Sequence, residues 1–251
     1  MLSTRLRNRL TVVLVSSRNP LNIGAAARAM ANFGFTSLAV VAPYEEHWRE
    51  AKSAVGAPDL LHNASESQSL AEAVSDCTLV VGTGAATRRR PEHRVVPLPE
   101  LAAPVLSELE RGGRVALVFG SEKRGLRRED LSHCHLLAEI PTHPRQPSMN
   151  LGQAVAVCLY ELAVHGASAE GLSLRQRPQP PDAAPSAPSG DLDRLAGVLD
   201  QVMLAAHYSP PSMHDANRHD LRLLLRRLAL TQPDAQRVLG FFRRVLRRLE
   251  R

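Results

Sequence analysis

The sequence predicts an α/β fold, a parallel sheet with helices on both faces, plus a small helical C-terminal extension. Short Val/Leu-rich runs recur between residues 10 and about 166, with helical patterns between them. The apolar runs are continuous rather than alternating, as expected of strands buried on both faces, and most end in Gly, Ser or Pro. At 251 residues and 44% hydrophobic content the chain can bury one good-sized core and a smaller appendage.

The first run, TVVLVSS, leads into Arg18-Asn19-Pro20-Leu21-Asn22-Ile23-Gly24 and then a helix with Arg28 in its first turns. Ala25, Ala26, Ala27 and Ala29 around that Arg predict a closely packed helix in which Arg28 is drawn inward. SLAVVAP is the second strand, and CTLVVGTG the third, ending on Gly82-Thr83-Gly84-Ala85-Ala86-Thr87. RVALVFG opens onto the loop of VFGSEKRGL, and HLLAEIP onto IPTHPRQPSMN, after which LGQAVAV continues as a helix. Residues 1–166 thus form the α/β domain. Residues 167–190 hold five prolines and no aromatic residue, so they read as a linker. Residues 191–251 form the helical extension.

Net charge is +6, and the only lysines are Lys52 and Lys123. The charge is clustered: residues 218–251 carry ten arginines against Asp220, Asp234 and Glu250. Such clustering fits phosphate contacts to an RNA, and a dimer-stabilising helical hairpin with a solvated basic face fits it too. Leucine spacing predicts that Leu221, Leu224, Leu225 and Leu228 pack while Arg222, Arg226 and Arg227 face outward. Phe241 and Phe242 read as core, so recognition by shape and phosphate is expected rather than base stacking.

Cys77, Cys134 and Cys158 are odd in number and far apart, which fits a reducing compartment. No 18-residue apolar run occurs and no signal-type apolar segment follows the basic start, so no membrane contact and a cytoplasmic location are expected. His133 and His135 flank Cys134, but neighbours on a strand point to opposite faces and no second ligand cluster exists, so no metal is expected.

In a sheet of this type ligands bind outside the carboxyl ends of the strands, where four of the predicted loops are polar or Gly-rich. The dinucleotide fingerprint is absent after the first strand, and GTGAAT lacks a third Gly. Ser148 has His143 nearby, yet its flanks form no nucleophile elbow and no acid completes a triad.

Taken in order, NPLNIGAAARAMANFGF, LVFGSEKRGL and PSMNLGQAVAVCLYEL resemble the three motifs of the SpoU (TrmH-like) RNA 2'-O-methyltransferases of the SPOUT superfamily. The resemblance covers residues 10–165. The C-terminal segment from Met213 onward resembles the tail of the TrmJ branch, whose members methylate the ribose of nucleotide 32 in tRNA. This likeness implies a deep trefoil knot at the C-terminal end of the α/β domain, a homodimer, and S-adenosylmethionine as cofactor. It implies catalytic roles for Asn22, Arg28, Ser148 and Asn150, and cofactor contacts from Thr83, Gly84, Ala85, Gly120, Ile140, Ser148 and Met149. RNA contacts are expected from Arg18, Arg28, Glu122, Arg145, Arg222, Arg226 and Arg243, with tRNA the expected partner.

Plainer readings stay open for several of these residues. Asn22 could cap its helix, Ser148 and Asn150 could cap the next, and Glu122 could be a solvated loop acid. Gly152 reads as a point of close packing against the knot. The motifs specify cofactor and chemistry rather than the nucleotide, so rRNA or another tRNA site is the alternative substrate. A non-catalytic RNA-binding homologue is the alternative of another class.

Overall fold

The computed structural model describes residues 2–84, 93–169, 184–208 and 210–250. In chain order the elements begin α1 (Thr4–Arg7), β1 (Leu10–Val15), α2 (Pro20–Phe33), β2 (Ser37–Val41), α3 (Pro58–His62), β3 (Ser65–Ser67), α4 (Leu70–Ala73) and β4 (Leu79–Thr83). They continue β5 (Arg94–Pro97), α5 (Leu98–Glu110), β6 (Val115–Phe119), α6 (Arg128–Ser132), β7 (Leu136–Glu139), α7 (Leu151–Ala169), α8 (Ser189–Ala205), α9 (His214–Arg227) and α10 (Gln232–Leu249).

Seven strands form one sheet in the order β3-β2-β1-β6-β4-β7-β5. Every pairing in it is parallel. The five strands expected from apolar runs are all present. The two that sequence reading missed, β3 and β5, are the sheet edges. One reads Ser-Glu-Ser and the other carries Pro97, so neither offers the apolar run of a central strand.

Alternate residues of each central strand feed opposite cores. Leu10, Val12 and Leu14 of β1 join one cluster with side chains of α2, α5 and α7. Val13 and Val15 join the other, with Leu70 and Val74. Val115, Leu117 and Phe119 of β6 divide from Ala116 and Val118 in the same way. Both faces are therefore covered, as parallel strands require.

The chain runs outward from β1 to β3, then returns to the other half of the sheet. Strand β6 later fills the gap between β1 and β4, which brings the carboxyl ends of β1, β6 and β4 side by side.

The extension is a three-helix unit in which α8 packs on α9 and α10 around small cores of Leu192, Leu195, Ala196, Leu225 and Ala235. It begins in contact with the domain. The backbone N–H groups of Ser189 and Gly190 donate to the carbonyls of Cys77 and Ser75, each at 2.9 Å. Ala187 is buried, and Ser186 Oγ reaches Glu108 Oε2 at 3.3 Å. Helices α7 and α8 run into both ends of the segment expected as linker, and residues 170–183 of that segment lie outside the described residues.

The leucine-spacing expectation for α9 is corrected. Leu225 is buried with Leu223, but Leu224 and Leu228 are exposed, and Arg226 is only 4% exposed. On α10 Phe241 faces solvent, its ring edge-on to Phe242. The packed face of α9 is rotated by one residue because Arg226 has a buried partner, described below. Among the described residues no helix is long and apolar enough to cross a membrane.

Candidate functional site

The loop after β1 and the start of α2 meet the loop after β6 at Glu122, and the residue before α7 joins them through Asn22. Asn22 Nδ2 donates to Glu122 Oε1 at 2.8 Å, and Ser17 Oγ donates to the same oxygen at 3.0 Å. The backbone N–H groups of Arg18 and Asn19 complete the set, at 3.1 Å to Oε2 and 3.4 Å to Oε1. Asn150 Nδ2 in turn donates to Asn22 Oδ1 at 3.1 Å, while Asn150 Oδ1 accepts from Gly152 N–H at 2.9 Å. A continuous hydrogen-bond chain therefore joins all three motifs.

Partial burial raises the Glu122 pKa, but the hydrogen bonds from Asn22, backbone amides and Ser17 outweigh it and hold the carboxyl below its usual range. Glu122 is thus an exposed acid with its acceptors engaged, rather than a free loop acid. The clue in the sequence was its position three residues beyond a strand end that neighbours β1.

Local structure explains the parts. Asn19, not Asn22, caps α2, since its side chain accepts from Leu21 N–H at 2.9 Å and Pro20 starts the helix. Asn22 is thereby free to reach Glu122. Asn150 does bond the first turn of α7, as the capping reading expected, and it also contacts Asn22. Gly152 packs close to Ala25 of α2, where a Cβ would come within 2.7 Å of the Ala25 methyl.

Beside this chain of bonds lies a cavity of about 680 Å³ at the carboxyl ends of β4, β6 and β7. Six of the seven residues expected to hold a cofactor line it: Thr83, Gly84, Gly120, Ile140, Ser148 and Met149. The seventh, Ala85, lies outside the described residues. Gly120 is required by close approach, since a Cβ there would fall 2.1 Å from the backbone of Gly125 and Leu126. Gly125 itself has φ +65°, and its N–H closes the loop on Ser121 O at 2.7 Å. Lys123, Arg124 and Arg128 add positive charge to a lining that also holds Glu122. Sequence reasoning missed these cations, as well as His219 and Leu223 of α9, which also line the cavity.

The other expected site residues separate. Ser148 is exposed at the cavity, whereas Asn22 and Asn150 are outside its lining. Arg28 is exposed, outside the cavity lining, and not in the first turns of α2. It lies about 9 Å further along the axis than Asn22 and about 120° around it. The small neighbours that predicted an inward Arg28 instead let α2 pack closely on α7.

Arg18 stacks over the Tyr44 ring at 4.6 Å, and its backbone serves Glu122. Arg145 lies exposed in the loop between β7 and α7, and its N–H donates to His143 Nδ1. Arg243 is exposed on α10, and Arg222 is half-buried with Nη1 3.5 Å from Ser132 Oγ. Arg226, expected to contact RNA, is instead buried against Asp193, its Nη2 donating to Oδ1 at 2.9 Å. His133 sits 3.4 Å from the other oxygen of Asp193. His135 Nδ1 accepts the Val80 N–H at 3.0 Å. The two histidines flanking Cys134 are thus engaged in structure.

Residues 9–160 match the SpoU rRNA Methylase family. The tRNA (cytidine/uridine/adenosine-2'-O-)-methyltransferase TrmJ of Pseudomonas aeruginosa is 42% identical over 165 residues, covering 65% of this chain and 64% of that protein. That match stops just short of two thirds of the Pseudomonas protein. The tRNA (cytidine/uridine-2'-O-)-methyltransferase TrmJ of Cronobacter sakazakii is 34% identical over 227 residues, covering 90% of this chain and 89% of its own. The crystal structure of TrmJ from Z. mobilis ZM4 aligns with a TM-score of 0.78 at 28% identity, covering 96% of this chain and 99% of that one.

Proposed function

This chain belongs to the SpoU rRNA Methylase family, and from that premise we propose that it is a tRNA ribose 2'-O-methyltransferase. Its methyl donor is S-adenosylmethionine and its target is nucleotide 32 of the anticodon loop. The observation that carries the reading is the cavity at the strand ends, lined by residues of the second and third motifs and bounded by the bonded chain that ties in the first. The extension supports tRNA over rRNA, because relatives named for tRNA align across it as well as across the domain.

The donor set fits the cofactor. Ile140, Leu126 and Met149 offer apolar walls to an adenosine, and Thr83, Gly84 and Gly120 bring backbone to the same space. Thr83 Oγ1 is anchored on Val118 O at 3.0 Å, which fixes the β4 end of the site. When bound, S-adenosylmethionine supplies an electrophilic methyl group on a sulfonium.

The protein's own task is alignment and charge stabilisation, which need few residues. The chain from Glu122 through Asn22 to Asn150 keeps the three loops in one geometry. Arg28 positions the ribose hydroxyl and the adjacent phosphate and stabilises developing alkoxide charge. A guanidinium, with a pKa above about 12, does not serve as the base, so the proton passes to phosphate or water. Because Arg28 is exposed and off the cavity of its own protomer, it serves the site of a second copy in a homodimer. Exposed arginines on α10, Arg243 among them, hold RNA phosphates. The reaction belongs to the cytoplasm, where its RNA is found.

The test is incubation of purified protein with labelled S-adenosylmethionine and total tRNA or rRNA, followed by nuclease digestion and mass mapping. A 2'-O-methyl nucleoside at position 32 of tRNA is the expected product. Methylation elsewhere overturns the assigned position, and no transfer to either pool overturns the activity. Arg28→Ala should leave stability within about 0.5 kcal/mol of wild type while turnover falls on the order of 100-fold. Arg28→Lys should fail as well, since an ammonium cannot reproduce the bidentate geometry.

A further inference from the structure

We propose that the C-terminal extension is itself part of the cofactor site, with α9 forming one wall of the cavity and a buried His133–Asp193–Arg226 cluster latching that wall in place. The inference rests on the reading of the cavity as the S-adenosylmethionine site. It assigns a ligand-facing role to a segment that sequence reasoning gave only to RNA and dimer contacts.

Two side chains of α9 line the cavity, His219 and Leu223. They stand four residues apart and so share one helix face. Beside them, Arg128 and Leu131 of α6 line the same space, with Arg128 Nη2 3.9 Å from Asp220 Oδ1 of α9. Leu223 is 3% exposed, so it packs against protein atoms at the cavity edge. The cavity is therefore enclosed jointly by the strand-end loops of the domain and by a helix of the extension.

What holds α9 there is one turn away from Leu223. The Arg226 side chain is 1% exposed and donates from Nη2 to Asp193 Oδ1 on α8, while Nη1 donates to Arg222 O on its own helix. His133, immediately after α6, lies 3.4 Å from Asp193 Oδ2, and Arg226 Nη2 is also 3.4 Å from its ring. Three elements, α6, α8 and α9, thus converge on one carboxylate. A guanidinium so deeply buried persists only with its charge met, so loss of Asp193 releases the helix that carries it. Burial raises the Asp193 pKa, but the His133 contact and the Arg226 charge bring it down to about 2.

The latch also touches the second motif. Helix α6 follows the loop of Glu122 and Gly125 directly, and Arg127 N–H donates to Asp130 Oδ2 at 2.7 Å at its start. A shift of α9 is therefore felt through α6 at Arg128 and Leu131. By linkage, a ligand that contacts α9 only in its docked position stabilises docking, and docking strengthens the ligand by the same factor.

The experiment uses the full chain, with S-adenosylmethionine as the probe. Calorimetric titration compares wild type with Leu223→Ala, His219→Ala and Asp193→Asn, each checked by circular dichroism and thermal melting. Wild type should bind, and the two wall variants should bind about 3- to 10-fold more weakly by loss of contact. Asp193→Asn should weaken binding through the loosened wall. In the wild-type chain alone, saturating S-adenosylmethionine should slow tryptic cleavage within α9 and α10 several-fold, a readout that needs no variant. Wild-type binding with unchanged affinity in the folded wall variants and unchanged cleavage overturns this inference and leaves the assigned activity standing. No binding by wild type overturns both.

Discussion

Replacing Glu122 by Gln isolates the contribution of the carboxylate that joins the motifs. All four of its partners are donors: Ser17 Oγ, Asn22 Nδ2 and the N–H groups of Arg18 and Asn19. Glutamine offers one acceptor oxygen. If that oxygen occupies the Oε1 position, three bonds survive without charge assistance and an amide NH₂ faces the Arg18 N–H. Removing charge costs each surviving bond roughly 0.5 kcal/mol at this exposed location, and the lost bond adds a similar amount, for a total of about 2 kcal/mol.

For a chain of this size that is a fall in Tm of roughly 4–8 °C, measurable by scanning calorimetry at pH 7. Proton linkage gives an independent check. Because the Glu122 pKa is lowered on folding, its stabilisation is present above the unfolded value near 4.5 and is lost as pH falls through the folded one. The gap between wild type and variant should close in acid. A variant whose Tm stays within about 1 °C of wild type at pH 7 would refute the argument that these bonds hold the loops together.

Three further outcomes follow from the same geometry. Gly120→Ala should abolish cofactor binding and cost several kcal/mol, about 3 or more, because a new methyl carbon 2.1 Å from the Gly125 backbone forces the cavity loop apart; calorimetric titration and urea melts read both effects. Burial first, then the nearby Arg226 charge, pushes the His135 pKa down to about 3, so the native ring stays neutral while the unfolded one protonates below about 6.5. Stability should fall by up to about 2 kcal/mol between pH 6.5 and pH 5, an upper value because the residue as a whole is only half-buried, and His135→Gln should flatten that slope in urea melts. Burial raises the Cys77, Cys134 and Cys158 thiols to about 12, so iodoacetamide at pH 8 should label them only as fast as the chain unfolds, read by mass spectrometry with and without urea.

The central strands were legible because burial on both faces leaves an unbroken apolar run, and five such runs stand in this chain. The edge strands β3 and β5 carried no such mark. Their residues are held by one neighbouring strand each, and pairing needs only backbone groups. Glycine positions were also legible, since Gly120 and Gly125 mark turns whatever surrounds them.

Side-chain partners were not legible. Glu122 sits 100 residues from Asn22, and Asn22 sits 128 from Asn150, separations that no local pattern reports. The same limit explains Arg226: helical spacing gave it a solvent-facing place, and a carboxylate 33 residues away drew it inside.

By itself, then, the sequence determined the strand-and-helix alternation and the loops that carry chemistry, because periodicity and turn residues act over a few positions. Only the tertiary structure decided which of those loops touch, that Arg28 stays outside the cavity, and that α9 helps to close it. Those outcomes depend on where the parallel crossovers deliver each strand end. They depend too on buried charge being met by a partner from elsewhere in the chain.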